Sequence, residues 1–144
     1  MNQPLKFKKL HPEAVIPKRA TPYDAGLDLT ACSYQYDGMN HVFDFGFGLA
    51  VEIPEGYVGL IFPRSSIYKT NMELSNAVGV IDSKYRGELR AKFRKIDGLY
   101  SKSYNVGDRV AQLVIVRYEA LNPIEVRELD MTEDRGGGFG SSGT

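Results

Sequence analysis

The chain has 144 residues, with 18 basic and 18 acidic side chains and a formal net charge of zero. That length makes one domain able to bury roughly 68% of the surface its unfolded form exposes, and the balanced charge excludes the global basic field that gathers polymeric nucleic acid, while leaving room for a local cluster that takes a small anion. The opening MNQPLKFKKLHPE lacks the apolar core of a signal peptide and Leu113 to Val116 is far too short to span a bilayer, so a soluble, intracellular protein with no membrane partner is expected.

In chain order, Leu5 and Phe7 alternate with lysines, and Val15-Ile16 end at Pro17, which predicts a first strand and a bend. Lys18 to Tyr23 reads as a loop. In Asp24 to Ala31 the apolar Leu27, Leu29 and Ala31 share one parity, so Asp28 and Thr30 fall on the opposite face of a strand, where a carboxylate is ordinarily solvated. Cys32, the only cysteine, rules out an intramolecular disulfide and a cysteine-based zinc site, and reads as a small packing residue. From Phe43 to Ile53 every odd position is large and apolar, the cleanest period of two in the chain. Pro54-Glu55-Gly56 predicts a turn and Tyr57 to Phe62 a return strand.

Pro63-Arg64-Ser65-Ser66 closes that strand. Arg64 reads either as a surface cation or, with two hydroxyls behind it, as a receiver of phosphate oxygens. Ile67 to Leu74 predicts a short helix. Asn76 to Glu88, NAVGVIDSKYRGE, runs from an apolar strand into the carboxylate of Asp82, turns at Arg86-Gly87, and returns through Leu89, Ala91 and Phe93. As a pattern it is a hairpin with a charged tip. Its basic face, Arg90, Lys92 and Arg94, carries no assigned role.

Gly107-Asp108-Arg109 turns into Val110 to Val116, a near-continuous apolar run that predicts a buried strand interrupted by Gln112. A buried, unpaired amide costs on the order of 1–3 kcal/mol, so Gln112 needs partners or an outward path. Arg109 reads equally as a structural partner for a carboxylate. A further strand is expected around Ile124 and Val126. The tail RGGGFGSSGT holds five glycines, which predicts flexibility, and it reads either as a segment that closes over a ligand or as an RNA-binding end. Many short strands and no long helical period together predict an all-β sandwich or barrel with at most one short helix.

Five segments, PYDAGLDLTA (22–31), PRSS (63–66), NAVGVIDSKYRGE (76–88), GDRVAQLVI (107–115) and RGGGFGSSGT (135–144), occur in this order, and with them the chain closely resembles the trimeric deoxyuridine triphosphatase (dUTPase) family. The resemblance implies a jelly-roll β-barrel over residues 1–134, with residues 135–144 as a C-terminal motif that closes over the active site. It implies hydrolysis of dUTP to dUMP and pyrophosphate by water attack on the α-phosphorus, which limits uracil incorporation into DNA and supplies dUMP for dTMP synthesis. It also implies Mg2+ carried mainly by the triphosphate and a homotrimer with its sites between subunits.

Carried over position by position, the resemblance makes Asp82 the base that activates water. Arg64, Ser65, Ser66, Gln112, Arg135 and Ser141 become phosphate contacts. Asn76 and the backbone at Gly79 and Val80 read uracil, Tyr85 packs under the deoxyribose, and Phe139 stacks on the base. Asp28 holds the metal indirectly, through water. Ser66 stands where relatives commonly have glycine, so a conformation reserved for glycine is not essential there. Lys84 stands where many relatives have an acid and reads as an exposed position. Two rivals are a deoxycytidine triphosphate deaminase of the same fold and a dUTP-binding regulatory protein. The expected location is the cytoplasm, or the nucleus or host interior for a virus-encoded chain.

Overall fold

The computed structural model describes residues 3–96, 102–134 and 136–137. Among them, ten strands run in chain order: β1 (Lys6–Lys9), β2 (Leu27–Thr30), β3 (Ser33–Asp37), β4 (Val42–Gly46), β5 (Leu49–Glu52), β6 (Tyr57–Pro63), β7 (Met72–Leu74), β8 (Gly79–Ile81), β9 (Arg90–Lys95) and β10 (Arg109–Arg117). The one helical element among the described residues is a 3-10 helix at Ser65–Lys69. The strands form two four-stranded antiparallel sheets, ordered β2-β10-β6-β8 and β3-β4-β9-β7, with a β1-β5 ribbon alongside. This is the all-β architecture the strand pattern predicts. None of the described helices is long and apolar enough to cross a membrane.

Both sheets turn apolar faces into one core. Leu29, Ile61 and Leu113 come from the first sheet, Phe45 and Phe93 from the second, and Leu49 and Val51 from the ribbon. Phe93 meets Phe45 edge-on at 5.8 Å between centroids and Tyr104 at 5.5 Å, an aromatic cluster of the tilted geometry that ring quadrupoles favour. The Tyr104 hydroxyl is buried without a hydrogen-bond partner, and burial pushes its pKa up.

Four expectations change. The run 43–53 is two strands in different sheets, because the chain turns at Gly48, whose φ of +61° lies in the left-handed region. A β-carbon there would lie 2.7 Å from Cys32 Sγ, so close packing demands glycine as well. The two arms of the supposed 76–88 hairpin do not pair: β8 joins β6, while β9 joins β4 and β7, so the segment crosses from one sheet to the other. Its entry is tightened by Ala77, at a φ of +59°. The helix expected over 67–74 is the 3-10 helix ending at Lys69 followed by β7. No strand forms around Ile124 and Val126; both are exposed.

Phe93 is fully buried between the two other rings. Phe93→Ala is expected to lower folding stability by about 3–5 kcal/mol in chemical denaturation. A loss below about 1 kcal/mol would contradict this account of the core.

Candidate active site

The first sheet carries two groups of side chains at opposite ends of β6. At the C-terminal end of β6 lies an arginine-rich group built on three neighbouring strands. Gln112 on β10 pairs across the sheet with Asp28 on β2 and with Phe62 on β6, which aligns these positions in one row. Leu27, Leu29, Ile61 and Leu113 point into the core, so by strand alternation Asp28 and Gln112 face outward.

A register shift between Arg109 and Ala111 alters this row. Arg109 and Gln112 are three residues apart and would lie on opposite faces of a regular strand. The irregularity pairs Arg109 with Thr30 and Gln112 with Asp28, bringing both side chains to the same outward face.

The Asp28 carboxylate then joins two guanidinium groups. Arg64 donates to it through Nε at 2.8 Å and Nη2 at 3.4 Å, and Arg109 through Nη1 at 2.9 Å. Arg64 Nη1 is turned toward the Ser66 hydroxyl, 3.5 Å away. Two cations share one anion, so the cluster keeps a net positive charge, and the planar fork of Arg64 is fixed in advance of any anionic ligand. Gln112 donates from Nε2 to the Pro63 carbonyl at 3.0 Å. Its carboxamide lies so close to Gly26 that a β-carbon there would collide with Gln112 Oε1. Arg109, left open by its sequence context, is thus a partner of Asp28.

The second group sits past the end of β8. Asp82 is exposed and lines a cleft of about 530 Å3 with Tyr57, Val58, Val80 and Lys84. The chain folds back at once: the Tyr85 amide donates to the Asp82 carbonyl at 3.0 Å, and the Arg86 guanidinium holds the Ser83 and Tyr85 carbonyls at 2.7 and 2.9 Å. The Tyr85 hydroxyl donates to the Glu88 carbonyl at 3.0 Å. Asn76 and Val80 are exposed, with the Asn76 carboxamide near Gly79. Lys84 is exposed, as expected.

The two groups do not meet within one chain. Ile81 pairs with Gly59 and Gly79 with Ile61, so Asp82 follows the register to the Val58 end of β6, while Arg64 lies beyond Pro63. Six residues of extended chain separate those ends, roughly 20 Å at ~3.3 Å per residue. Sequence reasoning named the residues of both groups but did not foresee this separation, because motif order says nothing about register. Arg135, Phe139 and Ser141 lie outside the described residues.

A dUTPase family profile matches residues 12–143. The chain is 41% identical over 140 residues to a deoxyuridine 5'-triphosphate nucleotidohydrolase of Rhodococcus erythropolis, covering 96% of this chain and 85% of that one. It is 38% identical over 141 residues to the corresponding protein of Nocardia farcinica, covering 97% and 86%. Among solved structures, a Staphylococcus bacteriophage 80alpha dUTPase with dUpNHpp superposes with a TM-score of 0.82 at 28% identity, covering 99% of this chain and all of that one. A dUTPase of phage phi11 of S. aureus, described with a structural Mg(II) ion, gives 0.72 at 28% identity over 88% of this chain and 98% of that one. The ordered motifs, the antiparallel jelly-roll sheets and these likenesses lead to one conclusion: the chain belongs to the dUTPase family.

Proposed function

We infer that this chain is a dUTP nucleotidohydrolase. It hydrolyses dUTP to dUMP and pyrophosphate, removing a precursor of uracil in DNA and supplying dUMP for dTMP synthesis. The observation that carries this reading is the pairing, in a chain of this family, of an exposed carboxylate beyond β8 with a preset arginine cluster beyond β6. The deaminase alternative finds no support in the relatives, which are nucleotidohydrolases by name.

The roles follow from the chemistry of each group. Asp82 takes a proton from water as the water oxygen bonds to the α-phosphorus; the bond from that phosphorus to the bridging oxygen breaks, and pyrophosphate leaves. A positioned base of this kind contributes about 10²–10⁴-fold. Arg64, Ser65, Ser66 and Gln112 receive charge on the phosphate oxygens as it shifts toward the leaving group. Asn76 and the backbone at Gly79 and Val80 take the uracil edge, where a mismatched donor pattern leaves buried groups unpaired. Tyr85 lies under the deoxyribose and leaves no room for a 2′-hydroxyl.

Among the described residues no three His, Cys, Asp or Glu side chains gather as a metal cage. Asp28, with both oxygens already accepting from arginines, suits contact through water better than direct ligation. This donor set fits Mg2+ that arrives on the triphosphate, where it neutralises phosphate charge.

The roughly 20 Å between Asp82 and Arg64 supports a site built from more than one copy of the chain. So does the segment after β10. From Leu121 to Met131 it carries Leu121, Ile124 and Leu129 at 85%, 75% and 75% exposure, apolar surface suited to cover by a neighbour. We therefore assign a homotrimer in which one copy's Asp82 faces another's Arg64, with Arg135, Phe139 and Ser141 closing over the nucleotide. A soluble, intracellular location accords with a nucleotide substrate.

Asp82→Asn is expected to cut turnover by about 10²–10⁴-fold while dUTP binding, followed by calorimetry, persists. Near-normal turnover would remove Asp82 from the role of base. Tyr85→Ala is expected to let UTP compete with dUTP in a pyrophosphate-release assay; an unchanged preference would place sugar selection elsewhere. A chain ending at Asp134 is expected to fold and assemble normally but to hydrolyse dUTP poorly, since the tail completes water exclusion. Full activity of that truncated chain would refute the closing tail.

A further inference from the structure

Beyond Tyr85 the second group runs into an ionic clamp at Glu88. Glu88 Oε1 accepts the Gly48 amide at 2.9 Å, and Glu88 Oε2 accepts Arg90 Nη1 at 2.6 Å. Arg90 in turn donates from Nε to Asp44 Oδ1 at 2.9 Å, and Asp44 is 6% exposed. Burial opposes the charge on Arg90, but the bonds from Asp44 and Glu88 outweigh it and hold the guanidinium pKa above its ordinary value. Asp44 and Arg90 alternate with the core residues Phe45 and Ala91, yet they form a half-buried chain of charges leading from the second sheet to Glu88.

Two glycines leave room for this arrangement. A β-carbon at Gly46 would lie 2.5 Å from Glu88 Oε1 and 2.9 Å from Arg90 Nη1, so the clamp fills space that only glycine leaves open. One at Gly87 would lie 2.6 Å from Tyr85 Cζ and 3.0 Å from Tyr85 Cε2, so the ring lies directly on the Gly87 backbone. The Tyr85 hydroxyl reaches past Gly87 to the carbonyl of Glu88. The side chain of Glu88 is thus tied to a half-buried charge cluster, and its main chain anchors the far end of the tyrosine ring.

We propose that Glu88, clamped by Arg90 and Asp44, is a positioning residue for sugar selection: by fixing its own carbonyl it holds the Tyr85 ring where a 2′-hydroxyl would have to fit. The inference rests on the reading of Tyr85 as the surface under the deoxyribose. Without the clamp, the 86–88 segment keeps only the main-chain tie that follows it, the Leu89 amide donating to the Leu49 carbonyl at 2.7 Å; the Tyr85 hydroxyl then has a less firmly held acceptor, and the ring can swing off Gly87. The consequence is admission of ribose, with little change in the chemical step, because Asp82 lies six residues earlier in the chain and is held by its own turn.

The test measures kcat and KM separately for dUTP and UTP, with thermal unfolding, in Tyr85→Ala, Tyr85→Phe, Glu88→Ala, Glu88→Gln and the double variant Tyr85→Phe/Glu88→Ala. Glu88→Ala is expected to lower the dUTP over UTP ratio of kcat/KM about tenfold, the worth of roughly one hydrogen bond, while kcat for dUTP stays within about twofold. Glu88→Gln, which keeps one of the two clamp bonds, is expected to fall between it and the native chain. Since Glu88 acts through the tyrosine hydroxyl, the double variant is expected to be no less selective than Glu88→Ala alone. An unchanged ratio in Tyr85→Ala overturns the sugar-contact reading itself. A lowered ratio there, with selectivity unchanged in Glu88→Ala or with additive losses in the double variant, overturns the role of Glu88. Should Glu88→Ala fail to fold, Glu88→Gln carries the same comparison, and an unchanged ratio in it counts against the proposal.

Discussion

Strand β6 is hydrogen-bonded on both sides, to β10 along seven positions from Tyr57 to Pro63 and to β8 at Gly59, Leu60 and Ile61. Its inward residue Ile61 is buried, and Gly59 admits the Ile53 and Leu113 methyl groups so closely that a β-carbon would sit 2.7 Å from the first. A slip of one residue would turn Ile61 to solvent, so the register is strongly held. That register sends the arginine cluster and Asp82 to opposite ends of the strand. The proposed site shared between copies would bridge the gap between them without bending the sheet.

The charges follow a common rule at both ends. The chain is neutral overall, yet its acids stand next to the bases whose orientation matters. Asp28 fixes Arg64 and Arg109, leaving one net positive charge in the cluster. Asp44 and Glu88 fix Arg90, and through it the main chain that anchors Tyr85. Such partly buried, charge-assisted bonds give little net stability once desolvation is counted. Their effect is that Arg64 and Tyr85 are held in place without a ligand, the kind of preorganisation that lowers the ordering cost of binding.

Much of this was legible in the sequence, for physical reasons that also explain what was not. Local alternation placed Leu27 and Leu29 in the core and Asp28 outside, and the apolar run 110–116 marked the central strand β10. Alternation failed at 43–53 because it continues unbroken through Gly48, where the backbone leaves the sheet; a glycine inside a periodic run was the one available sign. The 76–88 segment resembled a hairpin because two strands joined by a short turn look the same whether they pair or part. Ile124 and Val126 read as a strand from apolar content alone, yet within one chain nothing pairs with them among the described residues. The bulge at Arg109 was invisible because it depends on pairing with β2. The site residues came from motifs, and their division between two ends came only from register.

The composite site we propose joins one copy's Asp82 to another's Arg64. Two inactive variants, Asp82→Asn and Arg64→Gln, can be unfolded together, refolded as a mixture, and assayed for pyrophosphate release from dUTP. A composite site predicts recovery of up to about one quarter of native activity, the share of interfaces that join an intact Asp82 from one variant to an intact Arg64 from the other. A mixture no more active than the sum of the two variants refolded separately would contradict it, and would require Asp82 and Arg64 of the same chain to act on one phosphate.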